Sequence, residues 1–463
     1  MLALLASRML GVVRQVTFNA MFGAGYQSAA YFAASRLPDS LYNLIAGGAL
    51  IHAFVPVFLS YEKEHGENEA WRLTSLIFNV MLVALTIVIL FGELVAPAFV
   101  TRLLVPGLPP AAQQLTTSLT RIMLLQPLIL GLGTIGTAIL NSRRQFLLPA
   151  LSLAVYNFGL LAGLLATKLF PPLGIYGPTY GTLLAVTLQG IVLIPGLLQQ
   201  GVRYSFVWNI RHPGFRLVMI LLLPNALAIG VSYVGNIVDT AFSSYMKDPA
   251  SIPALQNAEM LQALPIALIA QAIGQSLLPH LAVQASAKRY LRMRQTALKV
   301  IGASLLLTIP AALLLIVLGK PAINILFRHG AFTTHAANLT YLALIGYALA
   351  IPGQAAGVLI SSAFFALKDA FTPFLTNTYA LVARWGLLFL FFHLIQGQNI
   401  ILAVPLAGVA AATSEGVLLT LILLLRLRKR MKEDKGMQRL QQRRLYLHEG
   451  RQGVTNPTAQ QEM

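Results

Sequence analysis

The 463-residue chain is 57% hydrophobic and only 10% charged, with a mean hydropathy of +0.71 and a formal charge of +18. A soluble fold cannot hide so much apolar surface, and apolar runs that are continuous rather than alternating argue against a β-barrel. The chain has no cysteine, which excludes disulfides, thiol nucleophiles and thiolate metal sites.

Runs long enough to cross a hydrocarbon core predict an all-α polytopic membrane protein of about twelve transmembrane helices. They lie at 1–24, 29–60, 74–101, 112–141, 147–168, 175–199, 217–246, 253–285, 297–318, 335–366, 371–394 and 400–425. The first span has no small-residue cleavage site before a polar mature domain, so it reads as a helix and not as a signal peptide. It holds "SRMLGVVRQ", residues 7–15, with Ser7, Arg8 and Arg14. A guanidinium at the bilayer centre costs about 2.5–3.5 kcal/mol on insertion scales. Arg8 can snorkel to the interface; Arg14 is too deep to do so. The six residues between them amount to about 9 Å of helix axis and about 120° of rotation. A straight helix therefore keeps the two off one narrow face, while Ser7 and Arg14 share one. Either the helix bends near Gly11 or it borders a wide polar cavity, and both imply water or an anion inside the protein.

The second span carries Arg36 and Asp39, three apart and placed to pair with each other. In the fourth, "GLGTIG" at 131–136 matches a dinucleotide-binding string but follows no strand, so it reads as glycines for close helix packing. Asp239 lies in the seventh span and Glu259 near the start of the eighth; Glu93, Arg121, Arg384 and Glu415 are scattered or closer to helix ends. The eight histidines show no metal-ligand spacing, and no catalytic constellation stands out. The expectation is a protein that is not an enzyme.

The loops give an orientation. The even-numbered loops carry thirteen Lys and Arg, the odd-numbered ones five. The positive-inside rule then puts both termini in the cytoplasm. Ten more basic residues fall between Arg426 and Arg451. That tail, 426–463, reads as a disordered end that touches anionic lipid, so topology and not nucleic acid explains the charge. The two halves look related: Gly11 superposes on Gly235, Pro56 on Pro279 and Pro149 on Pro373, at an offset of 223 to 224 residues. Six helices per half make a parallel repeat with a midplane site between lobes. The expected domains are a first lobe at 1–200, a cytoplasmic linker at 201–216, a second lobe at 217–425 and the tail. Helices one, two, seven and eight carry the most central charges, so a central cavity, cationic on the first-lobe side, is expected between the lobes. The alternative is that Arg8, Arg14, Asp239 and Glu259 pair across the interface. Arginine suits phosphate, because its planar fork donates paired hydrogen bonds and keeps its charge.

These residues resemble a known family. "SRMLGVVRQ" is similar to the S-R-x-L-G-x-x-R-(D/E) opening of the MurJ (MviN) lipid II flippases, within the multidrug/oligosaccharidyl-lipid/polysaccharide exporter superfamily. "FGAG" at 22–25, "AFVPVFLSYEKEHGE" at 53–67, "AILNSRRQFLLPAL" at 138–151, "QSLLPHL" at 275–281, "LFRHGAFT" at 326–333 and "LKDAFTP" at 367–373 resemble it too, in order over nearly the whole chain. The resemblance implies two six-helix lobes around a V-shaped cavity, alternating access, and a substrate of undecaprenyl pyrophosphate carrying the peptidoglycan disaccharide-pentapeptide. Arg8 and Arg14 fall on essential cavity arginines, Ser7 on the neighbouring serine, and Arg36 on a basic position of helix two. Two further cavity arginines of the family fall on Tyr42 and Met260, an acidic position falls on Gln15, and a helix-two aspartate falls on Ala29. The family usually has fourteen helices and some residues before this motif; this sequence reads as twelve helices with a clipped start. Some members bind sodium between helices seven and eleven, which places Asp239 and Asn377 at such a site; the alternative is a carboxylate bonded to neighbouring helices.

The reading that follows is a flippase for a polyprenyl-pyrophosphate-linked cell-wall precursor. Its substrate site would comprise Ser7, Arg8, Arg14, Arg36, Asp39 and Glu259, with no cofactor beyond that sodium ion. The alternatives are a cation-coupled drug antiporter of the same superfamily, which needs carboxylates to dominate the cavity, and a non-transporting scaffold for cell-envelope enzymes.

Overall fold

The computed structural model describes the backbone of residues 2–45 and 48–452, and all side chains there except those of 2–6, 45, 48–49, 52, 224–225, 227–229, 231–232 and 433–452. The described regular structure is helical throughout. In chain order it comprises α1 (Leu2–Phe22), α2 (Tyr26–Ile45), α3 (Gly48–His65), α4 (Glu67–Phe99), α5 (Pro110–Met123), α6 (Gln126–Ser142), α7 (Leu147–Leu169) and α8 (Tyr176–Gln199). There follow α9 (Pro213–Ser244), α10 (Ser251–Pro265), α11 (Ala272–Ser286), α12 (Tyr290–Leu326), α13 (Thr334–Ala366), α14 (Phe371–Leu394) and α15 (Ala403–Gln452). Wide π-helical turns at Val100–Leu104 and Ile266–Gln271 follow Pro97 and Pro265. A proline removes one ladder donor and crowds the preceding turn, and a locally wider helix absorbs the misfit.

Among the described residues, nine helical stretches are long and apolar enough to cross a membrane: Glu67–Leu104, Pro110–Ser142, Leu147–Leu169, Tyr176–Gln199, Ser251–Ser286, Tyr290–Leu326, Thr334–Ala366, Phe371–Leu394 and Gly397–Lys432. They fall on nine of the expected spans. The other three, 1–24, 29–60 and 217–246, are helical where described, carry Arg8, Arg14, Arg36, Asp39 and Asp239, and lie partly outside the described side chains. The second of them is filled by two helices, α2 and α3. Composition predicts a disordered tail from 426, but α15 stays helical to Gln452. Its Lys, Arg, Gln, Leu and Met are good helix formers, and the first proline beyond Arg426 is Pro457. Residues 453–463 lie outside the described part.

The chain forms two compact units. The first comprises Met1–Gln262, Leu314–Ala348 and Leu381–Gly408. Its described residues hold four apolar clusters, the smallest around Ile89, Ala96 and Leu124. Of the others, one surrounds Phe18, Ala29, Ala33 and Leu119; another surrounds Phe54, Phe58, Trp71 and Leu76; the third surrounds Ala258, Phe327, Ala343 and Val404. On α2, Ala29, Ala30, Ala33 and Ala34 are fully buried, a small-residue face that admits neighbouring backbones. Phe18 of α1 packs against Tyr31 and Phe32 of α2, with ring centroids 4.8 and 5.0 Å apart. Two of the quoted motifs meet here. The Ala331 amide donates to Ala20 O at 2.8 Å. Gly23 and Gly330, at φ 62° and 59°, both turn left-handed beside that contact, and a Cβ on either would strike backbone. Arg143 likewise joins two motifs, 2.6 Å from Glu62 and 3.3 Å from Glu67.

The α7–α8 pair forms the tightest helix contact of this unit. Gly159 and Gly163 on α7 face Gly177 and Gly181 on α8, so the two backbones touch. A Cβ on Gly163 would sit 2.6 Å from both Gly177 O and Gly181 Cα. Gly163→Val is therefore expected to cut folded yield and lower the melting temperature of detergent-purified protein. Gly190→Ala, where a Cβ meets nothing within 4 Å, is expected to leave both unchanged. Equal behaviour of the two variants would contradict this packing.

The second unit comprises Ala263–Leu313, Leu349–Ala380 and Val409–Met463. Its core surrounds Leu277, Leu281, Met293, Leu359, Phe364 and Leu419, and Asp369 pairs with Arg426. The turns after α6 and α13 have the same geometry at the offset of the sequence repeat. Arg144 (φ 58°) and Lys368 (φ 60°) are left-handed. Gln145 N donates to Leu140 O at 2.8 Å, as Asp369 N does to Phe364 O at 3.0 Å. Both are helix C-terminal turns closed by a six-to-one bond.

Candidate functional site

Within the first unit, α1, α2, α7, α8, α10 and the junction of α5 with α6 enclose a chamber of about 180 Å³. Its charged wall groups are Arg14, Arg36 and Asp39; Gln15, Ser35, Gln126, Gln256, Tyr31, Tyr156 and Thr182 supply polar atoms, and Phe18, Phe32, Leu160 and Leu164 supply the apolar surface. The α1–α2 aromatic cluster and the glycine-packed α7–α8 pair fix its walls. Arg36 also borders a smaller cavity of about 20 Å³ with Asn236, Asp239, Thr240, Ser243, Glu259 and Tyr347.

The arginines differ in how they are held. None of the ion pairs among the described residues involves Arg14 or Arg8. Arg14 is half-buried on the chamber wall; Arg8 is exposed and outside the lining. Arg36 donates to Gln256 Oε1 at 2.8 Å and lies 4.0 Å from Glu259, while its Nε is buried without a partner. Asp39 accepts from Gln126 Nε2 at 3.1 Å. The expected Arg36–Asp39 pair is thus absent from the ion pairs of the described residues. Arg36 instead turns to α10, whose Gln256 and Glu259 face it. The chamber wall carries Arg14, Arg36 and Asp39, and Glu259 faces Arg36 from outside the lining, so Arg14 is the wall guanidinium without an ion-pair partner among the described residues.

The pairing of Arg8, Arg14, Asp239 and Glu259 with one another does not occur either. Glu259 faces Arg36, and Asp239 pairs with Arg384 of α14. Arg384, which the sequence leaves among scattered charges, is thereby the partner of the seventh-span carboxylate. Gly408 leaves room beside its guanidinium, since a Cβ there would lie 3.7 Å from Arg384 Cζ. Asn377 belongs to the second unit. Among the described residues, no three of His, Cys, Asp and Glu gather as a metal site.

Ser7 lies outside the chamber lining and ties α1 to α7: its Oγ donates to Leu153 O at 3.0 Å and accepts from Asn157 Nδ2 at 3.3 Å. The positions where the resembled family has other residues are filled structurally. Tyr42 and Thr134 share a hydroxyl hydrogen bond of 3.1 Å, Ala29 is core, and Met260 packs against the core around Ala258. Gln15 donates to Asn257 Oδ1 at 2.8 Å, and Asn19 reaches the same atom at 3.0 Å. Sequence reasoning missed Gln126, Gln256 and Tyr156; the signal that marks the first two is an amide placed inside an apolar span.

The fold and chamber define a class: a polytopic helical membrane protein of transporter architecture, with an arginine on the wall of a polar cavity that has no ion-pair partner among the described residues. The sequence profile described as "Lipid II flippase MurJ" matches residues 18–448, and the chain belongs to that family. The lipid II flippase MurJ of Burkholderia cenocepacia is 27% identical over 435 residues, covering 92% of this chain and 82% of that protein. That of Thermosipho africanus is 30% identical over 404 residues, covering 87% and 81%. A solved lipid II flippase MurJ in an inward closed conformation superposes with a TM-score of 0.76 at 26% identity, covering 92% of this chain and 90% of that one. A multidrug resistance MATE family transporter in an inward-facing conformation shares the fold, with a TM-score of 0.76 at 13% identity over 92% and 95% of the chains.

Proposed function

We propose that the chain flips lipid II, a polyprenyl-diphosphate-linked cell-wall precursor, across the bacterial cytoplasmic membrane by alternating access, with both termini cytoplasmic. The observation that carries this reading is the free guanidinium of Arg14 on the chamber wall. A diphosphate supplies the ion-pair partner that Arg14 lacks among the described residues. Arg14 holds it as a fork, and the unpartnered Nε of Arg36 is a second donor. The prenyl tail stays in lipid, and the protein replaces the water that the polar head loses. The basic residues from Arg426 onward rest on anionic lipid.

A chamber of about 180 Å³ holds about six waters at ~30 Å³ each. It is smaller than the ~300–1,000 Å³ of ordinary ligand pockets. The glycan head group therefore enters only when the chamber opens. The bonds from Gln15, Asn19 and Arg36 to α10, and from Ala331 to Ala20, are the contacts such a motion has to remake.

The shared fold with a multidrug transporter would also suit a cation-coupled antiporter. Pairing of Glu259 and Asp239 with arginines favours the anionic substrate, because neither carboxylate is left to hold a cation. Arg384 supplies the positive charge that sodium would otherwise bring to Asp239. Vesicles of Escherichia-type phospholipid containing the purified protein and fluorescent lipid II are expected to show flipping at the same rate in sodium chloride and choline chloride. No flipping in either salt, with folded protein, contradicts the flippase reading; flipping only with sodium contradicts the role given to Arg384.

A further inference from the structure

The segment between α8 and α9 is an extended strap whose two faces differ. Residues 203–207 lie along the first turns of α4. Ser205 N donates to Ser75 Oγ at 3.1 Å, Asn79 Nδ2 donates to Val207 O at 3.1 Å, and Tyr204 Oη donates to Asn79 Oδ1 at 2.9 Å. Ser75 and Asn79 are buried polar residues inside an apolar span; the strap partners both ends of the Asn79 amide and donates to Ser75 Oγ, which itself donates to Trp71 O at 2.9 Å. The other face points outward. Phe206, Trp208 and Ile210 are 79%, 51% and 59% exposed and Ser205 and Val207 are half-buried, while Tyr204 leaves its ring 61% exposed but turns its hydroxyl back to Asn79. From 204 to 208 the two-residue alternation is that of a strand with one wet or lipid-facing side; Asn209 and Ile210, both exposed, enter the turn that leads to α9.

We infer that this strap is an interfacial anchor: Phe206, Trp208 and Ile210, with the exposed ring of Tyr204 beside them, insert at the headgroup boundary of the bilayer, and the flanking Arg211, together with Arg203 beside its hydrogen bond to Asn68, meets lipid phosphates. Three observations choose lipid as the occupant. The strap lies against a helix long and apolar enough to span the membrane, near that helix's first turns. Its outward row includes Trp and Tyr, the residues whose amphipathic rings favour this depth. Its ends are arginines, matching anionic headgroups. The depth is bounded as well. A strap without a full ladder of backbone hydrogen bonds is not tolerated in the hydrocarbon interior, and an apolar row of this kind is poorly placed in bulk water. The anchor stands apart from the flippase reading, because it concerns no chamber residue.

The natural absence of cysteine makes the test direct. Single cysteines at positions 203 to 210 would carry a nitroxide, in vesicles of three parts zwitterionic to one part anionic phospholipid. Collision with oxygen and with a water-soluble nickel chelate would then be measured. Positions 204, 206, 208 and 210 are expected to favour oxygen, 203 and 209 the chelate, and 205 and 207 neither. Chelate access at all outward positions would overturn the anchor in favour of a solvated loop. Protection of that row from both reagents would overturn it in favour of a protein partner. As a check that needs no label, lipids brominated near the headgroup should quench the fluorescence difference between wild type and Trp208→Phe by more than half; an unquenched difference contradicts the anchor.

Discussion

Replacing Arg14 by alanine is expected to abolish growth of a flippase-depleted strain that depends on this protein, while the protein still reaches the membrane in near-normal amount. Arg14 has no ion-pair partner among the described residues, so its removal leaves no carboxylate stranded and should spare the fold. What is lost is the grip on the anion. A hydrogen bond to a charged group contributes about 1.5–3 kcal/mol, on the order of 10- to 100-fold in affinity. Arg14→Lys keeps the charge without the planar fork and is expected to fall between the two. Arg8→Ala should lose less than Arg14→Ala, because Arg8 is exposed and outside the chamber lining. Growth with Arg14→Ala at wild-type rate would contradict the role given to the chamber.

Arg384→Ala is expected to do the opposite: to damage the fold first. Asp239 and Arg384 pair with side chains only 14% and 24% exposed. Removing one member of a buried pair leaves an uncompensated charge and costs about 3–5 kcal/mol. The variant should show sharply reduced yield and a lower melting temperature in detergent. The double variant Asp239→Ala/Arg384→Ala removes both charges and is expected to recover most of the loss, giving a large coupling in a double-mutant cycle. Additive losses would show that the two side chains do not depend on each other.

The helical class and the chamber's central arginine were legible in the sequence because hydropathy and a deep charge are properties of single segments. Partners were not. Arg36 and Asp39 are close along α2, but spacing within one helix says nothing of Gln256 and Glu259, which approach from α10 and take Arg36. Arg384 looked peripheral for the same reason, since its partner lies 145 residues away. Ser7 shares a face with Arg14, yet Asn157 and Leu153 of α7 meet it before the chamber does. The linker at 201–216 reads as mere connection because its alternation spans only residues 204 to 208, and the buried Ser75 and Asn79 that order it lie on α4. The packing of α7 on α8 was not legible either, because a glycine in a helix gives no sign of which helix it faces.

The central claim is that Arg14 keeps its charge free in order to hold the diphosphate of a lipid. Native mass spectrometry of protein extracted from membranes rich in cell-wall precursors tests it most directly. Wild type should carry an adduct with the mass of a polyprenyl-diphosphate-linked glycan, and folded Arg14→Ala should carry none. An adduct of equal abundance in both proteins, or no such adduct on folded wild type, would contradict the account.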